Sequence, residues 1–172
     1  GDAAYVEACA EMADQLKALD AHPSRVIVAT GSCGTQAGLI AGAAWIRAPY
    51  EVTGILVSRP REEAVPRLLE LARATAGLLE LGVEIGPDHV RVEDRFLGPG
   101  FGIASPEGDA AQRLALTTEG LVLDPTYTAK ALAGLIGLVA NGTILRTASV
   151  LFLHTGGEPA LYAHVASGAN AC

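Results

Sequence analysis

The chain has 172 residues, half of them hydrophobic and only 18% charged, with a formal net charge of -7 at pH 7. That is the size of one domain, or a large part of one, and its apolar content excludes a disordered chain. The acidic balance, the lack of any Lys/Arg-rich run and an aromatic content of 5% argue against a nucleic-acid partner.

Residues 4–19 carry Val6, Cys9, Met12, Leu16 and Leu19 at helical spacing and predict an amphipathic helix, with no strand before it. Glu7, Glu11 and Asp14 interrupt its apolar positions, so no signal peptide is read. A turn at 21–24 leads to a strand at 25–29, where Val26, Ile27 and Val28 form a buried β-branched run. Residues 35–47 predict a helix dense in Ala and Gly, a composition that suggests close packing on a sheet. A second strand follows at 50–58 and a long helix at 59–81, with Pro60 near its first turn and Gly82 as its C-cap. Residues 89–94 alternate weakly and read as a short strand or an extended edge.

A Gly/Pro loop at 96–105 precedes a helix at 106–118, for which Ser105 is the expected N-cap, with Glu107 and Asp109 in the first turn. A short strand at 121–123 leads through Asp124-Pro125-Thr126-Tyr127 into a helix at 128–140, broken by Asn141-Gly142. A buried strand is predicted at 149–153, a turn at 154–157 and a last short helix at 159–165. Strand and helix alternate throughout. The fold class is therefore α/β, a three-layer, open, mostly parallel twisted sheet with helices on both faces. No apolar run reaches the roughly 18–20 residues of a membrane span. Cys9, Cys33 and Cys172 are odd in number and lack CxxC spacing, so the expected setting is reducing and cytoplasmic.

The stretch VIVATGSCGTQAG, residues 26–38, joins a buried strand to a helix N-terminus through a turn of small residues. Converging backbone N–H groups and the positive end of the helix dipole make such a turn an anion site, and small side chains let a phosphate come close. The plain alternative is a simple connection. Ligands of parallel α/β sheets bind beyond the carboxyl ends of the strands. Three stretches would meet there: the turn at 31–35, Tyr127, and the turn at 154–157. The turn lacks both the GxxxxGK[ST] lysine and the GxGxxG spacing, which counts against a nucleotide site.

Four stretches in order, GSCGTQAGL (31–39), LGPGFGI (97–103), TEGLVLDPTYTAKALAGLI (118–136) and VLFLHTGGEPALYA (150–163), resemble the C-terminal portion of the D-cysteine desulfhydrase and aminocyclopropane-carboxylate deaminase family. These are fold-type-II enzymes of the tryptophan synthase β type that use pyridoxal 5′-phosphate. The resemblance runs from about residue 5 to about residue 165. It implies that Gly31, Ser32, Cys33, Gly34 and Thr35 hold the cofactor phosphate, through backbone amides and the Thr35 hydroxyl. It implies that Thr155 hydrogen-bonds the pyridine nitrogen and that Tyr127 lies beside cofactor and substrate. It also implies a small amino acid as substrate and a homo-oligomer as the assembly. His154 is read as a packed strand-end histidine, outside the site. Thr128 after Tyr127, and HTGG rather than HLGG, favour the desulfhydrase side. Two departures stand out: Phe101 replaces the family's tyrosine beside the substrate, and Cys33 occupies a position where glycine is common.

Pyridoxal-phosphate chemistry needs a lysine that holds the aldehyde as a Schiff base. The chain contains only Lys17 and Lys130. Both read as solvated helix lysines, and the resemblance places the Schiff-base lysine upstream of the segment seen here. The expectation is a fold incomplete on its N-terminal side, whose missing N-terminal half is supplied by the same precursor or by a second chain. A non-catalytic binding or assembly module derived from this fold is the alternative.

Overall fold

A computed structural model of the chain describes residues 1–157; the helix predicted at 159–165 lies outside the described residues. The centre of the molecule is the strand β1 (Arg25–Thr30), paired in parallel with β2 (Glu51–Leu56) from Arg25↔Glu51 to Thr30↔Leu56. β3 (Arg91–Glu93) extends the sheet beside β2, and β4 (Val150–Phe152) lies along β1, giving the order β3-β2-β1-β4 with every pair parallel. Side chains alternate across a strand. Val26 and Val28 of β1 therefore join Val52 and Leu56 of β2 on one face, while Ile27, Ala29 and Ile55 face the other. Both central strands are buried on both sides, as their continuous apolar runs require. Removing side chains such as Ile27 and Ile55 from water contributes roughly 1.5–3 kcal/mol each.

On the first face lie α1 (Asp2–Ala18), α2 (Gly34–Trp45) and α3 (Arg61–Leu78). On the second lies α5 (Thr128–Ala140), with α4 (Pro106–Glu119) packed beside it. The small residues of α2 serve a purpose the composition did not reveal. Gly34, Gly38 and Gly42 recur every fourth residue and so share one helix face, which is turned to α1 rather than to the sheet. A Cβ on Gly38 would stand 2.8 Å from the Tyr5 Cβ, and one on Gly42 would stand 2.8 Å from the Cys9 sulfur. The helix that presses a glycine onto the sheet is α5: a Cβ on Gly134 would stand 2.7 Å from Ile55 Cδ1.

Several expectations are corrected. Residues 121–123 form no strand: Leu121 and Val122 are about half exposed, and side chains take the carbonyls a ladder would have used. His154 Nε2 donates to the Val122 carbonyl at 2.9 Å, and Gln112 Nε2 donates to that of Leu123. β4 is a half-buried edge strand, not a buried one. α3 starts after Pro60 and ends at Leu78, short of Gly82, with Glu80 already at φ 51. Leu19, read as part of the apolar stripe, is 75% exposed. Ser105 caps α4 as expected, its hydroxyl accepting from the Gly108 N–H at 3.1 Å. Lys130 is not solvated. It is the largest fully buried side chain among the described residues.

Candidate functional site

β1 delivers the chain to the carboxyl edge of the sheet, and residues 31–33 turn it into α2. The turn is braced from outside through its carbonyls. Ser58 Oγ donates to the Gly31 carbonyl at 3.0 Å, and Arg67 Nε donates to that of Ser32 at 3.2 Å. Cys33 is the residue before the helix and adopts a left-handed conformation, φ 77. Its carbonyl accepts the first helical bond, from the Ala37 N–H at 2.9 Å. None of the N–H groups from Ser32 to Thr35 is engaged by another backbone carbonyl or side chain among the described residues. These are the orphan donors of a helix N-terminus, which attract an anion.

They border a cavity of about 240 Å³ that Gly31, Ser32, Cys33, Thr35, Tyr127 and Thr155 line together. Six of the seven residues singled out from the sequence thus meet at one place. The seventh, Gly34, belongs to the same turn but faces α1: a Cβ there would stand 2.5 Å from Asp2 Oδ1. The Tyr127 ring lies over Gly31, where a Cβ would come within 3.3 Å of its Cε1. Tyr5, on α1, also lines the cavity and carries no motif that would have marked it. A larger cavity, of about 440 Å³, opens at the opposite end of the strands among Arg47, Tyr50, Glu51 and Arg91. Its charges are mixed, and none of the motif residues reaches it.

The Cys33 thiol is buried, and burial pushes its pKa up; the Arg59 and Arg67 guanidiniums pull it part of the way back. The thiol therefore stays neutral near pH 7 and brings no negative charge to the anion-binding turn. Gln36, fully buried in the first turn of α2, accepts from Thr30 Oγ1 at 2.8 Å and donates to the Arg91 carbonyl at 2.7 Å. It ties the end of β1 and the start of β3 to the 31–35 turn.

Asp124 does the same on the other side. It is 1% exposed, and its carboxylate accepts from the N–H groups of Thr126, Tyr127 and Thr128 and from the Thr128 hydroxyl, all at 2.8–2.9 Å. This fixes the turn that presents Tyr127. At His154 the ring is committed to structure, since Nε2 donates to Val122 while Nδ1 accepts from the Gly156 N–H at 3.3 Å. Gln36 and Asp124 both stand inside the quoted motifs, but periodicity alone gives no sign that a buried amide or carboxylate organises a turn.

The donor set fits a phosphate monoester: free main-chain N–H groups at a helix N-terminus, a neutral thiol, and a hydroxyl-bearing wall. The profile of the family described as pyridoxal-phosphate dependent enzyme matches residues 1–156. The chain belongs to that family, whose cofactor is pyridoxal phosphate. Within it, the chain is 38% identical over 164 residues to a D-cysteine desulfhydrase of Klebsiella pneumoniae (strain 342), covering 95% of this chain and 49% of the relative. A crystal structure of an ACC deaminase homologue superposes with a TM-score of 0.84 at 32% identity, over 97% of this chain and 49% of that one. The chain thus spans about half the length of the relatives it matches. Among the described residues, no helix is long and apolar enough to cross a membrane.

Proposed function

We propose that this chain is the phosphate-binding part of a pyridoxal-phosphate lyase or deaminase acting on a small amino acid. The chemistry proposed is like that of D-cysteine desulfhydrase: release of a 2-keto acid and ammonia, with sulfide when the substrate is cysteine. The observation that carries this reading is the row of unengaged N–H groups at residues 32–35, opening on the cavity that Tyr127 and Thr155 also line. When bound, the cofactor supplies an electron sink for electrons released at the substrate Cα. The chain's own residues then have separate tasks. The amides of Ser32, Cys33, Gly34 and Thr35, with the Thr35 hydroxyl, hold the phosphate. The Thr155 hydroxyl pairs with the pyridine nitrogen without adding charge. Tyr127 closes the cavity above Gly31 on the substrate side.

The covalent anchor comes from outside this segment. Lys17 is exposed on α1, Lys130 is buried with its Nζ on the Leu97 and Gly100 carbonyls, and no lysine lines the cavity. We infer that an N-terminal half, in the same polypeptide or a second chain, supplies it. Two features support a covering segment. β4 ends the sheet as a half-buried strand of three residues. Leu114, Leu116, Leu121 and Val122 are each about half exposed. A free sheet edge and exposed large aliphatic side chains are surface that a covering segment would bury.

The absence of a lysine from the cavity, with Phe101 in place of a tyrosine, favours a second reading: a non-catalytic module that keeps the cofactor cup. Intact mass with a count of distinct chains defines the assembled protein. Calorimetric titration of that assembly with pyridoxal phosphate, followed by incubation with D-cysteine, separates the readings. Binding with release of sulfide and ammonia supports the lyase. Binding without turnover of any small amino acid supports the module. No binding in the presence of a lysine-bearing partner overturns both.

A further inference from the structure

Lys130 lies one turn into α5, three residues after Tyr127, and its side chain is fully buried. Its Nζ donates to the carbonyls of Leu97 and Gly100, each at 2.8 Å. Gly98, at φ 69, lies beside it, where a Cβ would stand at ordinary contact distance, 3.7 Å, from Nζ. A buried ammonium is costly unless it is hydrogen-bonded, and burial alone lowers the Lys130 pKa. Its position is therefore tied to the loop that satisfies it.

That loop carries Phe101, whose ring stands edge-on to Tyr127 with centroids 5.8 Å apart and planes at 69°. Such edge-on aromatic pairs are favourable beyond their buried area and fix relative ring positions. Phe101 is otherwise 54% exposed, so Tyr127 and the loop are what hold it.

We propose that Lys130 is a positioning residue: its ammonium clips the 97–103 loop so that Phe101 buttresses Tyr127, which sets the substrate side of the cavity rather than its grip on phosphate. The proposal rests on the reading of the cavity as a cofactor and substrate site. The clip itself is testable without either ligand. In the assembled protein, Lys130→Met keeps the length of the side chain and removes the charge. Hydrogen exchange at 97–103 is expected to quicken by about tenfold or more, while the hydrogen-bonded amides of β1 keep their native rate. Unchanged exchange at 97–103, or equal acceleration throughout the chain, would overturn the clip whatever the site binds.

With cofactor and amino acid present, Lys130→Met is expected to raise KM about tenfold and leave the pyridoxal-phosphate Kd within about twofold. In a Phe101→Ala background the same change should cost less than about twofold, because the contact it supports is already gone. Equal costs in both backgrounds would overturn the coupling through Phe101. Should Lys130→Met fail to fold, Lys130→Arg and Phe101→Ala carry the test. The arginine variant is expected to keep 97–103 protected, and Phe101→Ala to raise KM without weakening the cofactor. Loss of cofactor affinity in either variant refutes the division between substrate side and phosphate side.

Discussion

Asp124 and Gly157 touch across the site: a Cβ built on Gly157 would stand 2.5 Å from Asp124 Oδ1. The turn that presents Tyr127 and the turn that presents Thr155 therefore share one buried carboxylate. Gly157 also adopts φ 113, a conformation closed to other residues without strain. Gly157→Ala would have to move either the carboxylate or the 154–157 turn. The expected loss is about 2–3 kcal/mol of stability, from backbone strain and steric displacement together. Thermal unfolding measures it, and a change below half a kcal/mol would show that the two turns are not coupled.

Cys33 presents the opposite case, a side chain where the backbone favours glycine. Its φ of 77 costs an L-residue about 1–2 kcal/mol. Its thiol is 2% exposed, and burying so small an apolar group returns about 1 kcal/mol. The two nearly cancel, so Cys33→Gly should leave stability within about 1 kcal/mol of native and keep the 31–35 turn. Cys33→Val puts a β-branched side chain at the same φ and should lose about 2 kcal/mol or more. Chemical unfolding of the pair decides: a valine variant as stable as the glycine one would contradict the left-handed assignment.

Gln36 supplies a third measurement. Both ends of its buried amide are engaged, one by Thr30 Oγ1 and one by the Arg91 carbonyl. Gln36→Met fills the same space and strands both partners in the interior, at a cost of about 2–3 kcal/mol. Thr30→Val removes one hydroxyl donor and leaves the Gln36 carbonyl unpaired, so it should cost less, about 1–2 kcal/mol. Urea unfolding ranks the two, and the reverse order would mean that the amide is not the tie between β1 and β3.

What the sequence made legible here is what local chemistry decides. α5 runs Thr128–Ala140, the bounds the sequence predicts, because an Asp-Pro turn starts it and Asn-Gly ends it. The meeting of the 31–35 turn, Tyr127 and Thr155 followed from one rule, that parallel strands deliver their successors to the same edge. The errors fall where distant residues decide. Residues 121–123 look like a strand, yet their carbonyls are claimed by His154 and Gln112. Lys130 reads as a surface residue of a small-residue helix, yet two carbonyls some thirty positions upstream bury it. The glycines of α2 suggest a sheet contact, and only the placement of Tyr5 and Cys9 shows that they admit a helix. No periodicity in the chain encodes those partners.

The packing of α1 on α2 should also make stability fall in alkali. Cys9 is fully buried between these helices, its thiol donating to the Leu39 carbonyl at 3.4 Å. Burial raises its pKa from 9.0 to about 11, against smaller opposing effects of the Tyr50 hydroxyl and the Ala43 backbone. Burial also drives Tyr50 well above the ordinary tyrosine value. The folded state therefore holds the thiol proton more tightly than the unfolded chain does. That contribution is complete below pH 9.0 and is lost as the pH rises through about 11. A rise from 9.0 to about 11 corresponds to about 2–3 kcal/mol. Unfolding free energies measured from pH 8 to pH 11 should fall along this course, and Cys9→Ala should shrink the drop by about that amount. A Cys9→Ala variant with the full alkaline loss would place the titrating proton elsewhere, with the Tyr50 hydroxyl as the next group to remove, by Tyr50→Phe.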